Sequence, residues 1–234
     1  MKNKFKINGP IFIGRSHAEY MKMFNLKKND LDKKILLDCA AGASSFTAHM
    51  NGEGCNVTAV DILYDQEADI LQKKCQKHLK ILVNALSDVD NHFIWDFFRN
   101  LKDLQDQRMI ACREFGKDYK INRKNYVKAD LTHIPFNDHS FNLALCSHLL
   151  FIYDHRLDYE FHLKSIEEML RVSNEVRIYP LVKHKNEKSS FVSQIMADLK
   201  ETADVEIVKV DYEFREGGNE MMRIFHKEQQ FPLK

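Results

Sequence analysis

A short loop of small residues follows the first apolar run of the chain, and it has the composition of a ligand-binding turn. The run at 35–37 ends in an acid, Asp38, and a helical pattern begins a few residues later. The small residues between them are Ala40, Ala41, Gly42 and Ser44. Small side chains let the backbone approach a ligand closely, and the free N–H groups of the following helix face that ligand. The segment therefore predicts a nucleotide-type binding loop.

A second acid, Asp61, ends the next apolar run. A carboxylate at the end of a second strand accepts hydrogen bonds from the ribose hydroxyls of a bound nucleotide. A dinucleotide site would need G-x-G-x-x-G and a phosphate on the helix N-terminus, but the loop has one glycine, Gly42, and the charge of Asp38 would repel a pyrophosphate. A ligand with an amino-acid moiety and no phosphate suits the loop better. S-adenosylmethionine is such a ligand, since its ammonium group tolerates a nearby carboxylate, directly or through water.

Polar residues with acid–base chemistry follow the fourth predicted strand. His148 and Tyr153 are the candidates for a general base or a contact to a second substrate, with His155 behind them. The alternative for His148 is an imidazole whose hydrogen bonds are satisfied by the local backbone. His148, His155 and His162 do not have the spacing of a helix-face pair, so no metal site is predicted.

These residues require a largely parallel sheet to position them. Short apolar runs alternate with helical patterns, which predicts an α/β fold whose sheet is covered by helices on both faces. The seven predicted strands are 34–38, 56–61, 125–129, 142–147, 175–181, 205–210 and 221–225. The predicted helices are 45–51, 66–79, 159–171 and 189–201, with Asp158 and Ser189 as the N-caps of the last two.

One connection between strands is too long for a single crossover helix. More than sixty residues separate Asp61 from Asn125, whereas a crossover needs about a dozen. The segment 92–98 is densely aromatic, and Phe97, Leu101 and Leu104 follow helical spacing. We predict that residues 66–123 form a helical insertion or lid within one domain spanning 1–234. Its aromatic residues either form the insertion's own core or line an acceptor pocket.

Four motifs in order give the chain a family resemblance. The first is 38–44, where Asp38 matches an acid and Ala40, Gly42 and Ser44 fall on three glycine positions; the second is Asp61. The third is YVKADL at 126–131, and the fourth, IPFNDHSFNLALCS at 134–147, is the most specific. With the later strands they extend from residue 34 to 225. The chain resembles the class I S-adenosylmethionine-dependent methyltransferases of the small-molecule type.

The resemblance implies a Rossmann-like sheet of seven mostly parallel strands whose last strand is antiparallel. It implies S-adenosylmethionine as the cofactor and S-adenosylhomocysteine as the product. The residues implied to contact the cofactor, besides the loop, are Asp61 at the ribose, Ile62 next to it in the chain, Asp130 and Leu131 at the adenine, and Ser147 at the end of strand four. Two of the three glycines are replaced by small residues, and the glycine turn before strand five is missing.

The N-terminal segment 14–24 has the pattern of an amphipathic helix with Arg15 at its start. In many family members such a helix closes over the cofactor, and we predict a helical cap at 1–30. Because arginine offers a bidentate fork to a carboxylate, we predict that Arg15 pairs with the methionine carboxylate. The alternative is a surface arginine on a helix that only packs on the sheet.

Composition limits the location and the partners. The net charge is +1, so no overall field favours nucleic acid or an anionic membrane, and no apolar run approaches the roughly 20 residues of a membrane span. Five cysteines without a C-x-x-C pair predict a cytoplasmic protein without disulfides, in which Cys39 and Cys146 are small buried side chains. The oligomeric state is expected to be a monomer or a homodimer.

A small molecule is the predicted methyl acceptor. Nucleic acid is disfavoured because the chain lacks an N/D-P-P-Y motif and its basic residues are scattered; Lys183, Lys185 and Lys188 read as a solvated loop. Two other functions stay open. One is a protein that binds or senses S-adenosylmethionine without turnover, and the other is a nicotinamide-dependent oxidoreductase, against which Asp38 and the later motifs argue.

Overall fold

One seven-stranded sheet organises the chain, and the computed structural model describes residues 9–87, 93–183 and 187–227 around it. Its strands are β1 (Ile35–Cys39), β2 (Asn56–Asp61), β3 (Tyr126–Lys128), β4 (Leu143–Ser147), β5 (Glu175–Tyr179), β6 (Ala203–Lys209) and β7 (Glu220–His226). All seven lie within two residues of the predicted bounds.

The strand order across the sheet is β3-β2-β1-β4-β5-β7-β6. Neighbouring strands from β3 to β5 are parallel, whereas β7 is antiparallel to both β5 and β6. The chain leaves β1 toward β2 and β3 and later resumes on the other side of β1 with β4. The carboxyl ends of β1 and β4 therefore lie at the reversal point of the strand order, the position at which open α/β sheets bind ligands. The predicted Rossmann-like fold with an antiparallel last strand is confirmed.

Helices cover the sheet on both faces. They are α1 (His17–Met23), α2 (Lys28–Leu31), α3 (Phe46–Gly52), α4 (Ala68–Leu86), α5 (Leu101–Ile121), α6 (Tyr159–Val172) and α7 (Phe191–Asp198). Single 3₁₀ turns lie at Arg123–Asn125 and Leu199–Glu201. None of the helices within these ranges has the length and apolarity needed to cross a membrane.

Helix ends differ from the predicted ends where capping decides them. Ser16 forms a capping box with Glu19, so α1 begins at His17 rather than at residue 14. Asp158 caps α6 as predicted, accepting the Phe161 N–H. The predicted cap of α7, Ser189, is wrong, because the helix begins at Phe191 and Ser190 is its N-cap. The Ser189 hydroxyl still accepts the Phe191 N–H at 3.3 Å, and it donates to Asp154 at 2.9 Å.

The central strands β1 and β4 are mostly apolar because both of their faces are buried. Successive side chains of a strand point to opposite faces, so Leu36 joins the cluster that contains Met23 of α1 and Phe46 of α3. Leu37 joins the cluster on the other face, with residues of α6 and α7 such as Met169. This alternation places Asp38, next along β1, on the face covered by α1 and α3.

Between β2 and β3 the chain forms α4, an aromatic segment and α5. The aromatic rings of that segment pack on the connection between β6 and β7: Phe93, Trp95 and Phe98 lie within 5.6 Å of the Phe214 ring, centroid to centroid. Phe97 lies before the first residue of α5, so it does not share a helix with Leu101 and Leu104 as its spacing had suggested. The aromatic residues thus join the core beside the sheet.

Candidate functional site

The loop between β1 and α3 has the left-handed turns that small residues permit. Ala40 and Gly42 have φ angles of 50° and 60°, and holding a non-glycine residue there costs roughly 1–2 kcal/mol. A Cβ on Gly42 would meet nothing nearer than the Ile13 carbonyl and the Phe12 ring at 3.8 Å. The N-terminal segment therefore lies directly over this loop. The other small residues of the loop, Ala41 and Ser44, are buried in it.

The Asp38 side chain is fully buried, and among the described residues only one of its two carboxyl oxygens has a hydrogen-bond partner. Its Oδ1 accepts a hydrogen bond from the Tyr20 hydroxyl at 3.0 Å, whereas Oδ2 has no hydrogen-bond partner in the described part of the chain. Burial raises the pKa of Asp38 to about 8, the charge of Asp61 adds to the rise, and the bond from Tyr20 opposes it. The site thus contains a buried carboxyl oxygen that a hydrogen-bond donor or a cation would satisfy.

Asp61 fixes the loop from the end of β2. Its two oxygens accept the backbone N–H groups of Gly42 at 3.0 Å and of Leu63 at 2.9 Å. Burial raises the pKa of Asp61, and these two bonds oppose the rise. Each carboxylate oxygen has more than one acceptor site, so both can still receive a hydroxyl. The next side chain, Ile62, is 58% exposed at the same edge of the sheet.

The residues predicted at the adenine end lie after β3. Asp130 is exposed, and its Oδ1 accepts the N–H and the hydroxyl of Thr132, both at 2.9 Å. Leu131 is buried beneath it. Asp130 therefore shapes its own turn while its carboxylate faces solvent at the carboxyl edge of the sheet.

His148 lies just beyond β4 in a strained backbone conformation, with φ at 57°. Its N–H donates to the Tyr179 carbonyl at 2.7 Å, and its ring Nδ1 lies 2.8 Å from the hydroxyl of Ser147, the buried last residue of β4. Burial lowers the pKa of His148 well below 6.5, and the charges of Arg15, Arg108 and Arg215 lower it further. The imidazole is therefore neutral at neutral pH.

Tyr153 and His155 follow on the same loop. The Tyr153 hydroxyl accepts the Ile11 N–H at 3.0 Å, which ties the N-terminal segment to this loop. His155 is exposed, with its ring centroid 6.1 Å from that of Tyr153. Both nitrogens of His162 contact backbone groups, Phe151 N–H at 2.9 Å and the Asp158 carbonyl at 2.7 Å, so this ring is occupied by local structure.

Arg15 is the last residue of the N-terminal segment, and its side chain is 15% exposed. Its carbonyl accepts the Ser45 N–H at 2.9 Å, which joins it to the end of the binding loop. Its guanidinium lies 3.7 Å from the Glu19 carboxylate. Burial lowers the pKa of Arg15 to about 10, the charge of Arg108 lowers it further, and Glu19 opposes both.

The N-terminal segment 9–15 is held across the site by side chains from distant elements. Besides the bond from Ile11 to Tyr153, the Phe12 N–H donates to Nδ1 of His78 at 3.0 Å, and Arg156 donates to the Gly9 carbonyl at 2.8 Å. Gly14 crosses α5 so closely that a Cβ would lie 2.7 Å from the Cys112 backbone nitrogen. We refer to segment 9–15 as the strap.

Four site residues escaped the sequence analysis: Glu19, Tyr20, Arg108 and Tyr212. Glu19 is fully buried, and Arg108 donates to it at 2.8 Å from α5. A signal was present, because Arg108 stands on the helix face formed by Leu104, Ala111 and Phe115, and a charge within an apolar stripe is an anomaly. Nothing local in the sequence indicates its partner.

The described residues form neither a reactive cysteine site at Cys39 or Cys146 nor a metal site. Cys39 and Cys146 are buried as predicted, and burial raises the pKa of Cys146 to about 12, so neither is an activated thiol. Within the described ranges no group of three or more His, Cys, Asp or Glu side chains is placed to hold a metal ion. An open depression at the β6–β7 side contains none of the predicted site residues; it is lined by His139, Asn174, Asp204, Val205, Glu206, Phe225, His226 and Lys227.

Comparisons with known proteins agree with this architecture. Residues 102–175 match the family model described as a methyltransferase domain. The uncharacterized protein MJ0045 of Methanocaldococcus jannaschii is 37% identical over 215 residues, which are 92% of this chain and 95% of that protein.

Solved structures with similarity to the chain include the PH0226 protein of Pyrococcus horikoshii, at 11% identity, 90% and 91% coverage of the two chains and a TM-score of 0.49. Another is a SAM-dependent methyltransferase of Aquifex aeolicus, at 17% identity, 90% and 88% coverage and a TM-score of 0.42.

The four sequence motifs, the sheet order and the domain match converge, and at 37% identity MJ0045 is a relative along nearly the whole chain. The chain therefore contains a methyltransferase domain on the class I fold, and it belongs to one protein family with MJ0045.

Proposed function

We propose that the protein is a methyltransferase that uses S-adenosylmethionine to methylate a small molecule. The observation that carries the cofactor assignment is Asp38, a buried carboxyl with one oxygen lacking a partner beside a loop of small residues. The ammonium group of an amino-acid moiety is a suitable partner for that oxygen, whereas a phosphate is not.

The other predicted contacts would follow the cofactor from its methionine end to its adenine end. Arg15 would hold the methionine carboxylate, and Asp61 would accept the ribose hydroxyls while it retains its bonds to the loop. The exposed face of Ile62 would cover one side of the adenine, and Asp130 would accept from the adenine amino group. The small side chains of the loop would let its backbone approach the methionine part of the cofactor; they are Ala40, Ala41, Gly42 and Ser44. Leu131 and Ser147 would form the floor of the site.

When bound, the cofactor supplies an electrophilic methyl group on a sulfonium. The protein's task is alignment of the acceptor with that methyl and removal of water, which supply much of the rate of a displacement. We propose that the strap excludes water from the site, because it lies over the loop and is held there by three hydrogen bonds. Residues 1–30 would thus act as a cap on a single domain that includes the segment 66–123.

His148 is our candidate for the base when the acceptor must lose a proton. It is neutral, lies at the carboxyl end of β4 and has its ring oriented by Ser147. A carboxylate beside Arg15 would offset one of the charges that lower the pKa of His148, so cofactor binding would make the imidazole more basic. Tyr153 holds the strap through its hydroxyl, which favours a contact role over a role as base.

A small acceptor fits the described surface better than a nucleic acid does. The two described lysines of the predicted basic cluster are both ion-paired, Lys183 with Glu187 at 2.8 Å and Lys188 with Glu220 at 2.7 Å; Lys185 lies outside the described residues. Paired surface charges offer little net attraction to a phosphate backbone. The free cysteines support a cytoplasmic location for the reaction. We propose that the protein is a monomer or a homodimer.

Calorimetric titration with S-adenosylhomocysteine tests the cofactor assignment. Ile62→Ser should weaken binding by about fivefold to tenfold through lost apolar contact with the adenine, without loss of stability, because the side chain is already 58% exposed. Ile110→Ser is the matched control, since Ile110 on α5 is 52% exposed and is not among the residues predicted to contact the cofactor. Equal affinities for the two variants would contradict the placement of the adenine. Binding of NAD in place of the adenosyl ligand would contradict the cofactor itself.

Transfer of a labelled methyl group to cell extract tests the acceptor class. After incubation with labelled S-adenosylmethionine, we expect protein-dependent label in the fraction that passes an ultrafilter, in a compound that chromatography separates from the unreacted cofactor. Label only in the retained fraction would point to a macromolecular acceptor. Cofactor binding with no transfer to either fraction would favour a protein that binds or senses the cofactor without turnover.

A further inference from the structure

A fully buried ion pair joins α1 to α5 behind the proposed cofactor site. The Glu19 carboxylate is 0% exposed. Its Oε1 accepts from Arg108 at 2.8 Å and from the Tyr212 hydroxyl at 2.7 Å, and its Oε2 accepts the Ser16 N–H at 2.9 Å. Arg108 is buried as completely, and it also donates to the Gly14 carbonyl at 3.1 Å.

Glu19 has two arginine neighbours at unequal distances. Arg108 lies 2.8 Å from Oε1, whereas Arg15 lies 3.7 Å from the same atom. Two guanidinium groups against one carboxylate leave one net positive charge in a largely buried cluster. A buried excess charge is costly without a counter-ion, so the cluster is suited to receive one carboxylate.

The distances indicate which arginine would receive that carboxylate. Arg108 is held by Glu19 and by the Gly14 carbonyl, and its Nε is buried without a hydrogen-bond partner in the described structure. Arg15 has the longer ion pair and keeps some exposed surface, 15% of its side chain. It is also joined through its carbonyl to Ser45, at the end of the binding loop.

The geometry points to Arg108 as a positioning residue that neutralises Glu19 and so keeps Arg15 available for the carboxylate of the cofactor's methionine moiety. This inference rests on the proposed function. It assigns the helix α5, which lies in the segment between β2 and β3, a part in cofactor selection without any contact to the cofactor.

Removal of Arg108 should redirect Arg15. A fully buried carboxylate left without its nearer partner demands another cation, and Arg15 is 3.7 Å away. In Arg108→Met we therefore expect Arg15 to close on Glu19 and to lose its interaction with the ligand carboxylate. In Arg108→Met/Glu19→Gln the buried charge is gone as well, so Arg15 becomes available again.

Two ligands separate this effect from general damage to the site. S-adenosylhomocysteine has the carboxylate, whereas methylthioadenosine has the same adenosine and thioether without the amino-acid moiety. We expect Arg108→Met to weaken S-adenosylhomocysteine by about tenfold or more with methylthioadenosine unchanged, and the double variant to regain most of the lost affinity. Circular dichroism and thermal melting would verify that each variant is folded.

Tyr212→Phe provides a gentler variant if Arg108→Met does not fold. It removes only the hydroxyl that donates to Glu19. Glu19 should then attract Arg15 more strongly, so S-adenosylhomocysteine should bind about twofold to fivefold more weakly. The affinity for methylthioadenosine should stay unchanged. Equal losses for the two ligands, no loss in Arg108→Met, or no recovery in the double variant would overturn the positioning role. Failure of the wild-type protein to bind S-adenosylhomocysteine would instead overturn the proposed function.

Discussion

Asp38 combines full burial with a single hydrogen bond, and its protonation state therefore depends on what occupies the site. Its pKa of about 8 lies above neutral pH, so the carboxyl is mostly protonated before any cation approaches. In the unfolded chain it would ionise near its ordinary value of 3.8. Ionisation of the folded form through pH 8 thus costs stability, and a cationic ligand group offsets that cost.

Cofactor binding should therefore release a proton at pH 7. An ammonium group beside Asp38 favours the carboxylate, so the carboxyl, mostly protonated at pH 7, releases up to one proton on binding. Calorimetry of S-adenosylhomocysteine binding in phosphate and in Tris, which differ in ionisation enthalpy, measures the number of protons released. Asp38→Asn cannot ionise and serves as the control, with weaker binding and no buffer dependence. Identical binding enthalpies of the wild type in the two buffers would show that Asp38 does not ionise on binding.

At the scale of elements, the strap depends on a single close crossing. Gly14 passes between α5 and the binding loop, where a Cβ would lie 3.0 Å from the carbonyl oxygens of Ala43 and Arg108 and 2.7 Å from the Cys112 nitrogen. All three are backbone atoms, which cannot rotate away as a side chain would. The strap can follow this path only because residue 14 has no side chain.

Gly14→Ala should displace the strap. We expect a loss of about 1–3 kcal/mol in the free energy of unfolding from overpacking, together with weaker cofactor binding because the displaced segment carries Arg15. Gly52→Ala is the matched control, since a Cβ there meets nothing within 4 Å, and it should cause no loss. Urea unfolding and calorimetric titration of both variants measure the two effects. A Gly14→Ala protein as stable as the wild type would show that the strap is not packed against α5 in solution.

For the whole molecule, the partly or fully buried histidines make the fold sensitive to mild acid. Burial is the leading cause that lowers the pKa of each, and the unfolded chain would titrate near 6.5. The four are His17, His78, His148 and His162. Below pH 6.5 the unfolded state binds these protons more readily than the folded state does, so the free energy of unfolding decreases as the pH falls.

Asp38 opposes this dependence because its folded pKa is raised. Between pH 7.5 and 5.5 its folded form keeps a proton that the unfolded form lacks, which favours folding as the pH falls. The raised pKa of Asp61 acts in the same direction as that of Asp38. We expect the four histidines together to exceed these two carboxyls, so the free energy of unfolding in urea should be lower at pH 5.5 than at 7.5. Asp38→Asn removes one opposing contribution, and its loss of stability over the same range should be steeper. A wild-type stability that rises on acidification would refute this account.

Local patterns predicted the elements well because they reflect physical demands made within a few residues. The two-residue alternation of side chains and the burial of both sheet faces determine where β1 and β4 lie, and a carboxylate that accepts the N–H of residue i+3 determines where α6 begins. Patterns failed where two capping choices were adjacent, as at Ser189 and Ser190, and where an apolar spacing such as that of Phe97 continued beyond the helix.

The sequence by itself determined the sheet, the binding loop and the positions of Asp38 and Asp61, since each is encoded by residues adjacent in the chain. Only the tertiary structure decided the partners of the buried charges. Arg108 meets Glu19 across 89 residues, and Tyr212 meets it across 193. Such pairings follow from the strand order and from the packing of α5 against the strap. Because many arrangements of the same helices and strands satisfy the same local periodicity, no local pattern specifies which distant charges become neighbours.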